Sequence, residues 1–282
     1  MIDASEEPFI FSDLALARRL EKAEARMSAE FVETRAKLFP ESGARRLEVA
    51  GADLLFDGAE SPLTQTFGLG LFAAITNAEM QVIEDFFREC GAPVFHEVSP
   101  LADAALPILL SERGYQPFEF TSIMFRPIRG GVALTTPRNE RIEVRLARED
   151  EHELWAQTGA RGWSSESAEL ADFILSVSRI SAKKKDALSF LAELDGRAIA
   201  TGVLGISDGV AVLAGASTIP EGRRQGAQQA LLDARLRYAA EHGCDIALMG
   251  AQPGSASQRN AERQGFRIAY TRIKWRLPQP TT

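Results

Sequence analysis

Apolar and polar positions along this chain repeat with two different periods, and the period predicts the kind of element. Residues 12–38 carry apolar side chains at helical spacing without glycine or proline, which predicts one long helix capped by Ser12. Shorter apolar runs bounded by turn residues predict strands. In the first half of the chain these are residues 46–56, 64–73, 94–98 and 118–127, with further helices at 78–90 and 101–113.

A second series of elements follows a stretch rich in Gly, Thr and Pro between residues 129 and 139, whose composition predicts a linker. Strands are predicted at residues 142–146, 188–194, 198–206, 210–218, 246–250 and 268–277, and helices at 149–160, 168–180, 227–242 and 255–264. Asp195-Gly196 lies between two of these strands and predicts a hairpin turn.

The two series correspond to each other in order, with an offset of about 150 residues. Matching pairs of helix ends are Cys90-Gly91 with His242-Gly243, and Gly114-Tyr115 with Gly265-Phe266. We therefore predict a mixed α/β fold in two tandem domains, residues 1–133 and 134–282, each with a mostly antiparallel sheet flanked by helices. Chance similarity between common helix–strand patterns is the alternative interpretation.

Composition and net charge mainly exclude certain classes of function. The 282 residues are 45% hydrophobic and 25% charged, as in ordinary globular proteins, and the formal net charge is −7. An acidic balance argues against general nucleic-acid binding, which needs a basic face. Two cysteines and three scattered histidines give neither a disulfide framework nor metal-ligand spacing. With no signal-peptide pattern and no bilayer-length apolar run, we expect a cytoplasmic protein without a metal or membrane partner.

One short segment carries the strongest chemical signal. The basic loop (residues 223–228, Arg-Arg-Gln-Gly-Ala-Gln) lies between the predicted strand at 210–218 and the predicted helix at 227–242. Backbone N–H groups converge without partners where a loop enters a helix, and such a site attracts phosphate. Arg223 and Arg224 add positive charge there. The loop therefore predicts a site for a phosphate-bearing ligand.

Residues 220–228, the Ala/Leu-rich helix after them and the segment 263–266 (Arg-Gln-Gly-Phe) together resemble the GCN5-related N-acetyltransferases, the GNAT superfamily. That family's signature is Gln/Arg-x-x-Gly-x-Gly/Ala, matched here by Arg223 and Gly226 but with Gln228 at the last position. The resemblance covers residues 142–277 and implies acetyl-CoA as co-substrate. The first half resembles a degenerate copy that lacks the loop, so we expect it to bind no CoA.

The resemblance also implies which residues hold the cofactor, on the strand end, the basic loop and the last helix. They are Ser217, Thr218, Arg223, Arg224, Gln225, Gly226, Ala227, Gln228, Ser257 and Asn260. Main-chain amides of the loop would hold the pyrophosphate, and strand peptide groups would bind the pantetheine arm. Gly226 would let the backbone approach the phosphates closely.

The catalytic residues stay unassigned. Many members of the family carry a tyrosine four residues before the Gly-Phe pair as acid for the departing thiolate, and here that position is Ala261. Tyr270 is the remaining candidate for the acid, and Glu193 or a chain of water molecules is the candidate for the base. Two interpretations stay open. One is transfer of an acyl group, typically acetyl, from CoA to an amine by direct attack; the other is binding of acyl-CoA without turnover, as a sensor or scaffold.

Overall fold

The structure, a computed structural model, describes residues 10–129, 139–164, 167–184 and 187–278. The first half contains α1 (Leu14–Leu38), β1 (Arg45–Val49), β2 (Ala52–Phe56), β3 (Gln65–Phe67), α2 (Asn77–Glu89), β4 (Phe95–Val98), α3 (Leu106–Glu112) and β5 (Gln116–Pro127). The second half contains β6 (Ile142–Leu146), α4 (His152–Arg161), α5 (Ala168–Ser181), β7 (Ala187–Leu194), β8 (Arg197–Ser207), β9 (Val210–Thr218), α6 (Ala227–Glu241), β10 (Ile246–Ala251), α7 (Ala256–Arg263) and β11 (Arg267–Arg276). None of the described helices combines the length and the apolar character needed to cross a membrane.

The eleven strands of the described residues form one sheet in the order β1-β2-β3-β4-β11-β5-β10-β9-β8-β7-β6. Only the pairs β3–β4 and β9–β10 are parallel, so the sheet is mixed and mostly antiparallel, as predicted. β11, from the second half, lies between β4 and β5 of the first half. β5 in turn pairs with β10. β11, the last strand of the second half, therefore extends the sheet of the first half. In the same way β5, the last strand of the first half, extends the sheet of the second half.

Helices cover both faces of this sheet. Since neighbouring residues of a strand point to opposite faces, adjacent side chains pack against different helices. On β5, Met124 packs in a buried cluster with α6 and α7, whereas Phe125 packs in a cluster with α1. On β8, Leu204 packs with α6 and Val203 with α4. α2 and α3 cover the first half in a cluster that includes Trp275 of β11. β11, which comes from the second half of the chain, thus contributes Trp275 to the core of the first half.

Two predicted strands of the first half are shorter than the sequence pattern indicates. The predicted strand at 46–56 is a hairpin of β1 and β2, which turns at Ala50 and Gly51, both with positive φ. The predicted strand at 64–73 is only β3, because the chain leaves the extended conformation at Gly68 (φ 74°) and Gly70 (φ 69°). Left-handed backbone in these positions is what ends both strands.

Two predicted helices begin later than expected. α1 is capped by Asp13 rather than Ser12, because the Asp13 carboxylate accepts a hydrogen bond from the Leu16 N–H (2.8 Å). α3 begins at Leu106 rather than at residue 101, with Pro107 in its first turn, a position that suits proline. The other predicted elements lie within a few residues of their observed bounds. Most of the predicted linker and the boundary between residues 133 and 134 fall outside the described residues, so the two-domain division stays a prediction.

Where the halves meet, charged side chains are buried between α1 and the sheet. Arg272 of β11 pairs with Glu21 (3.1 Å) and Glu24 (2.8 Å) of α1, and with Glu97 of β4. The Tyr270 hydroxyl donates to the other oxygen of Glu21 (2.8 Å). Burial raises the pKa of Glu21 and of Glu97, with the Arg272 guanidinium acting in the opposite direction. A single guanidinium therefore links α1 to both halves of the sheet.

His96, on β4, makes the stability of the fold depend on pH. Its side chain is fully buried, and burial lowers its pKa to about 3, so the folded protein holds it neutral. A depressed pKa contributes stability above the unfolded value, about 6.5, that is lost as pH falls. From pH 7 to pH 5 we expect the free energy of unfolding to decrease by about 2 kcal/mol more in the wild type than in His96→Phe. Urea unfolding of both proteins at the two pH values measures this; equal losses would contradict it.

Candidate functional site

The sheet opens between two neighbouring parallel strands of the second half. β9 and β10 pair only through residues 210–212 and 246–248. Beyond them, β9 continues to pair with β8, while residues 249–251 of β10 pair with β5. Gly215 and Ala216 of β9 and Gly250 of β10 are exposed along this opening. The gap (residues 213–218 of β9 and 249–251 of β10) thus presents a strand edge to which an extended ligand could add.

The basic loop leads into α6 and is separated from the open end of β9 by a short 3-10 turn (Pro220–Gly222). Its backbone is held in an unusual conformation, since Arg224 (φ 62°) and Gly226 (φ 91°) both lie in the left-handed region. Gly226 is the N-cap of α6 and provides no side chain to cap the helix. No acidic residue lies in the first turn of α6. The first turn of α6 therefore supplies no carboxylate to the positive end of its own dipole.

The N–H groups of residues 224–228 supply hydrogen-bond donors at this helix start. Within the described ranges, no hydrogen bond from these N–H groups is recorded, and the first bond of the helix runs from the Ala230 N–H to the Gly226 carbonyl. Residues 223–226 and Gln228 are exposed. N–H groups without a recorded partner at a largely exposed helix N-terminus match the needs of a phosphate group.

The corresponding helix start in the first half is closed by its own side chains. The Thr76 hydroxyl accepts a hydrogen bond from the Glu79 N–H (3.3 Å), and the Glu79 carboxylate accepts one from the Thr76 N–H (2.7 Å). The Thr76 N–H holds the pKa of Glu79 below its ordinary value. This capping box uses the free donors and places a negative charge where a phosphate would bind.

Asn139 braces the basic loop from outside, and sequence reasoning did not identify it. Its side-chain amide donates to the Gln225 carbonyl (2.9 Å), while its side-chain oxygen accepts the Arg141 N–H (3.1 Å). A Cβ atom on Gly226 would meet only the Cβ of Asn139, at 3.8 Å. Glycine is therefore required at position 226 by its φ angle, not by crowding in the free protein.

Two of the predicted cofactor residues point toward α4 instead of the gap. The Ser217 hydroxyl is buried and donates to the Gly159 carbonyl (2.8 Å). The Arg223 guanidinium donates to the Gly162 carbonyl (2.9 Å). Both side chains attach the strand end and the loop to the α4 region. Arg223 is nevertheless exposed, as is Arg224, which follows it in the loop.

Gln228, where the family signature has a small residue, forms a specific contact. Its side-chain amide donates to the Thr218 hydroxyl (2.7 Å), linking the first turn of α6 to the end of β9. The side chain thus closes the segment between β9 and α6. Ala227 is buried beneath it in the core of the second half.

The predicted residues on α7 lie on an exposed surface. Ser257 and Asn260 are both exposed, and among the described residues no hydrogen bond to either side chain is recorded. Ala261, at the position of the family's tyrosine, is buried in the same cluster as Ala227 of α6 and Ala251 of β10. α7 therefore packs against the core of the second half through Ala261 and presents two exposed polar side chains that a ligand could contact.

The two candidate catalytic side chains are held away from the gap. The Tyr270 hydroxyl is committed to Glu21 on the α1 face, and burial together with the Glu21 carboxylate raises the pKa of Tyr270, which makes it a poor acid. Glu193 of β7 accepts a hydrogen bond from Arg145 (2.7 Å), which also binds Glu151 (2.6 Å). Both carboxylates thus pair with Arg145 in a cluster that joins β6, β7 and the turn before α4. In the described part of the chain, no group of three or more His, Cys, Asp or Glu side chains is arranged to hold a metal ion.

Part of the second half of the chain is similar in sequence to a known protein family. Residues 148–266 match the model of a family described as the acetyltransferase (GNAT) family. A GCN5-related N-acetyltransferase from Kribbella flavida has a TM-score of 0.60 and 18% identity, covering 89% of this chain and 96% of its own. A second, from Sphaerobacter thermophilus, has a TM-score of 0.56 and 17% identity, covering 90% and 91%.

A tandem GNAT protein from the clavulanic acid biosynthesis pathway also shares the fold, with a TM-score of 0.55 and 13% identity over 82% of this chain and 79% of that one. No curated protein shows significant sequence similarity to the chain. The chain therefore has the fold of these acetyltransferase structures, with the family match confined to the half that contains the gap and the basic loop.

Proposed function

We propose that this chain is a GNAT acyltransferase that moves an acyl group, typically acetyl, from acyl-CoA to an amine. One observation carries the proposal. An open strand edge and an uncapped helix N-terminus are joined by residues 219–226, a short segment that contains Arg223 and Gly226 of the basic loop. Acyl-CoA has matching parts, an amide-bearing pantetheine arm and a diphosphate, in the same order along one molecule.

The diphosphate would bind at the basic loop. The N–H groups of residues 224–228 and the positive end of the α6 dipole favour an anion there. The exposed Arg224 guanidinium would pair with a phosphate oxygen. The pantetheine amides would hydrogen-bond to the free edge of β9 in the gap, as an added strand does. Ser257 and Asn260 of α7 would supply further polar contacts.

Transfer would occur by direct attack. The amine nitrogen forms a bond to the thioester carbon, the carbon–sulfur bond breaks, and the proton that the amine loses ends on the sulfur of CoA. Peptide N–H groups of the exposed β9 edge would stabilise the charge that develops on the carbonyl oxygen. Because Tyr270 and Glu193 are bound to other side chains, water in the gap would carry the proton.

The first half would serve as a structural partner descended from the same fold. The sheet order supports duplication, because each half supplies its last strand to the other on either side of the β5–β11 pair. The capping box at the start of α2 supports the expectation that this half binds no CoA. To the site this half would contribute β5, which pairs with the edge of β10 opposite to β9.

A second candidate function is acyl-CoA binding without turnover, favoured by the buried Ala261 at the family's tyrosine position. Calorimetry with acetyl-CoA and a thiol-release assay over a panel of primary amines separate the two. We expect saturable binding below about 1 mM and CoA release with at least one amine. Because Cys90 and Cys244 are free thiols, a blank without amine sets the baseline. Binding without release on any amine would favour the second function; no binding would contradict both.

A further inference from the structure

Arg235, in the middle of α6, is buried although it carries a charge. It is 3% exposed and occupies the core-facing row of the helix with Leu231 and Ala239. Among the described residues no carboxylate pairs with it, and its recorded hydrogen bonds all go to backbone carbonyls. Burial lowers its pKa to about 10, so the guanidinium is still charged near neutral pH. A buried charge without a counter-ion is costly and calls for a specific reason.

The donors of Arg235 converge on an irregularity of the sheet. Its Nη1 lies 3.0 Å from the Val203 carbonyl of β8 and 3.3 Å from the Ala214 carbonyl of β9. Val203 and Ala214 are register partners, but the next pair is Thr201 with Ser217, so β9 contains one extra residue. Such a β-bulge disrupts the ladder locally and leaves backbone groups to be satisfied from elsewhere. Arg235 supplies the donor at this point.

Two glycines complete the arrangement. Gly215, in the bulge, has a φ of 59°, which few other residues adopt. Gly202, on β8 opposite the bulge, lies so close to Arg235 that a Cβ atom would be 3.0 Å from both Cζ and Nη1. Glycine at 202 therefore leaves room for the guanidinium, and glycine at 215 permits the backbone that the guanidinium holds.

The bulge coincides with the open edge of the gap. β9 separates from β10 after residue 212, and the extra residue is inserted among residues 214–217. Gly215 and Ala216 are exposed there. Resting on the proposed function, we infer that Arg235 is a positioning residue: by holding the Ala214 and Val203 carbonyls it fixes the bulge, so that the exposed peptide groups of β9 stay aligned with the thioester of bound acyl-CoA.

The test is Arg235→Met, with Arg237→Met as matched control. Arg237 lies two residues away on the same helix but is exposed and pairs with Asp233 (2.7 Å). In the free protein we expect amide hydrogens of residues 213–218 to exchange at least about 10-fold faster in Arg235→Met, and kcat to fall at least about 30-fold. Affinity for CoA, anchored at the basic loop, should change less than about 3-fold, because the phosphate contacts do not involve the bulge. The control should change none of these.

Two further variants keep the inference testable if Arg235→Met folds poorly. Gly202→Ala retains the arginine but displaces it, and should reproduce the loss of kcat. Arg235→Lys retains a charge and a donor, and its kcat should lie between those of Arg235→Met and the wild type. The inference would be overturned if Arg235→Met had the amide exchange rates and the kcat of the wild type. It would also be overturned if the loss of kcat came with an equal loss of CoA affinity and of stability. If the wild type neither binds CoA nor transfers acyl groups, the proposed function fails, and exchange at residues 213–218 still decides whether Arg235 holds the bulge.

Discussion

Replacing Gly226 by valine is expected to weaken acetyl-CoA binding at least about 100-fold, equivalent to about 2.7 kcal/mol. Gly226 has a φ of 91°, and a β-branched residue cannot adopt that angle without severe strain. The basic loop would have to change its path, and the N–H groups of residues 224–228 would no longer point to one site. Isothermal titration calorimetry with acetyl-CoA measures the effect directly.

Gly243 offers a control with matched strain. It follows the other end of α6, has a φ of 83°, and has open space where a Cβ atom would lie. Gly243→Val should therefore cost about as much stability as Gly226→Val while leaving the affinity for acetyl-CoA within about 3-fold of the wild type. Equal affinity losses in both variants would show that strain in α6, and not the basic loop, determines binding.

Replacing Arg272 by methionine is expected to lower the free energy of unfolding by about 3–5 kcal/mol. The guanidinium is 3% exposed and is the shared partner of Glu21, Glu24 and Glu97. Without it, the buried Glu21 carboxylate would lose the cation that opposes the rise in its pKa, and it would have to take up a proton or expose itself to water. Urea or thermal unfolding at pH 7 measures the loss.

Arg276 is the matched control for this substitution, because it lies on the same strand, β11, but is exposed. Its guanidinium lies 5.4 Å from the centre of the Phe118 ring. Arg276→Met should change the free energy of unfolding by less than about 1 kcal/mol. A loss below about 1 kcal/mol for Arg272→Met as well would contradict the view that this cluster holds α1 against both halves of the sheet.

Local patterns in the sequence were sufficient to predict most elements of the fold. Helical spacing with Gly91 at its end predicted α2, and Asp195-Gly196 predicted the hairpin of β7 and β8, where both residues have positive φ. These signals act between neighbours in the chain, so they can be read without tertiary information. Boundaries were wrong where a turn was hidden in an apolar run, as at Ala50-Gly51.

The exchange of β5 and β11 between the halves could not be predicted in this way. Both strands read as ordinary apolar strands, and nothing in their alternation says which neighbour they pair with. Pairing depends on packing against residues far away in the chain, such as Ile273 with Phe120 and Ile246 with Pro127. Arg272 is buried because β11 lies between β4 and β5, where it pairs with Glu97 of β4. Its position in the sequence does not distinguish it from a solvent-exposed arginine on an edge strand.

The candidate site was predictable in its backbone but not in its supporting side chains. The basic loop, the strand before it and the helix after it follow from local pattern, and the structure places them together. Ser217 and Arg223 turned out to bind the α4 region, because their directions depend on tertiary packing. Arg235 did carry a signal, since it lies four residues from both Leu231 and Ala239, which are core positions.

The most direct test of the proposed site is a crystal structure of this protein grown with CoA. The account predicts the diphosphate within hydrogen-bond distance of the N–H groups of residues 224–228, and the pantetheine arm along residues 213–218 of β9, between β9 and β10. CoA bound anywhere else, or no bound CoA at millimolar concentration, would contradict it.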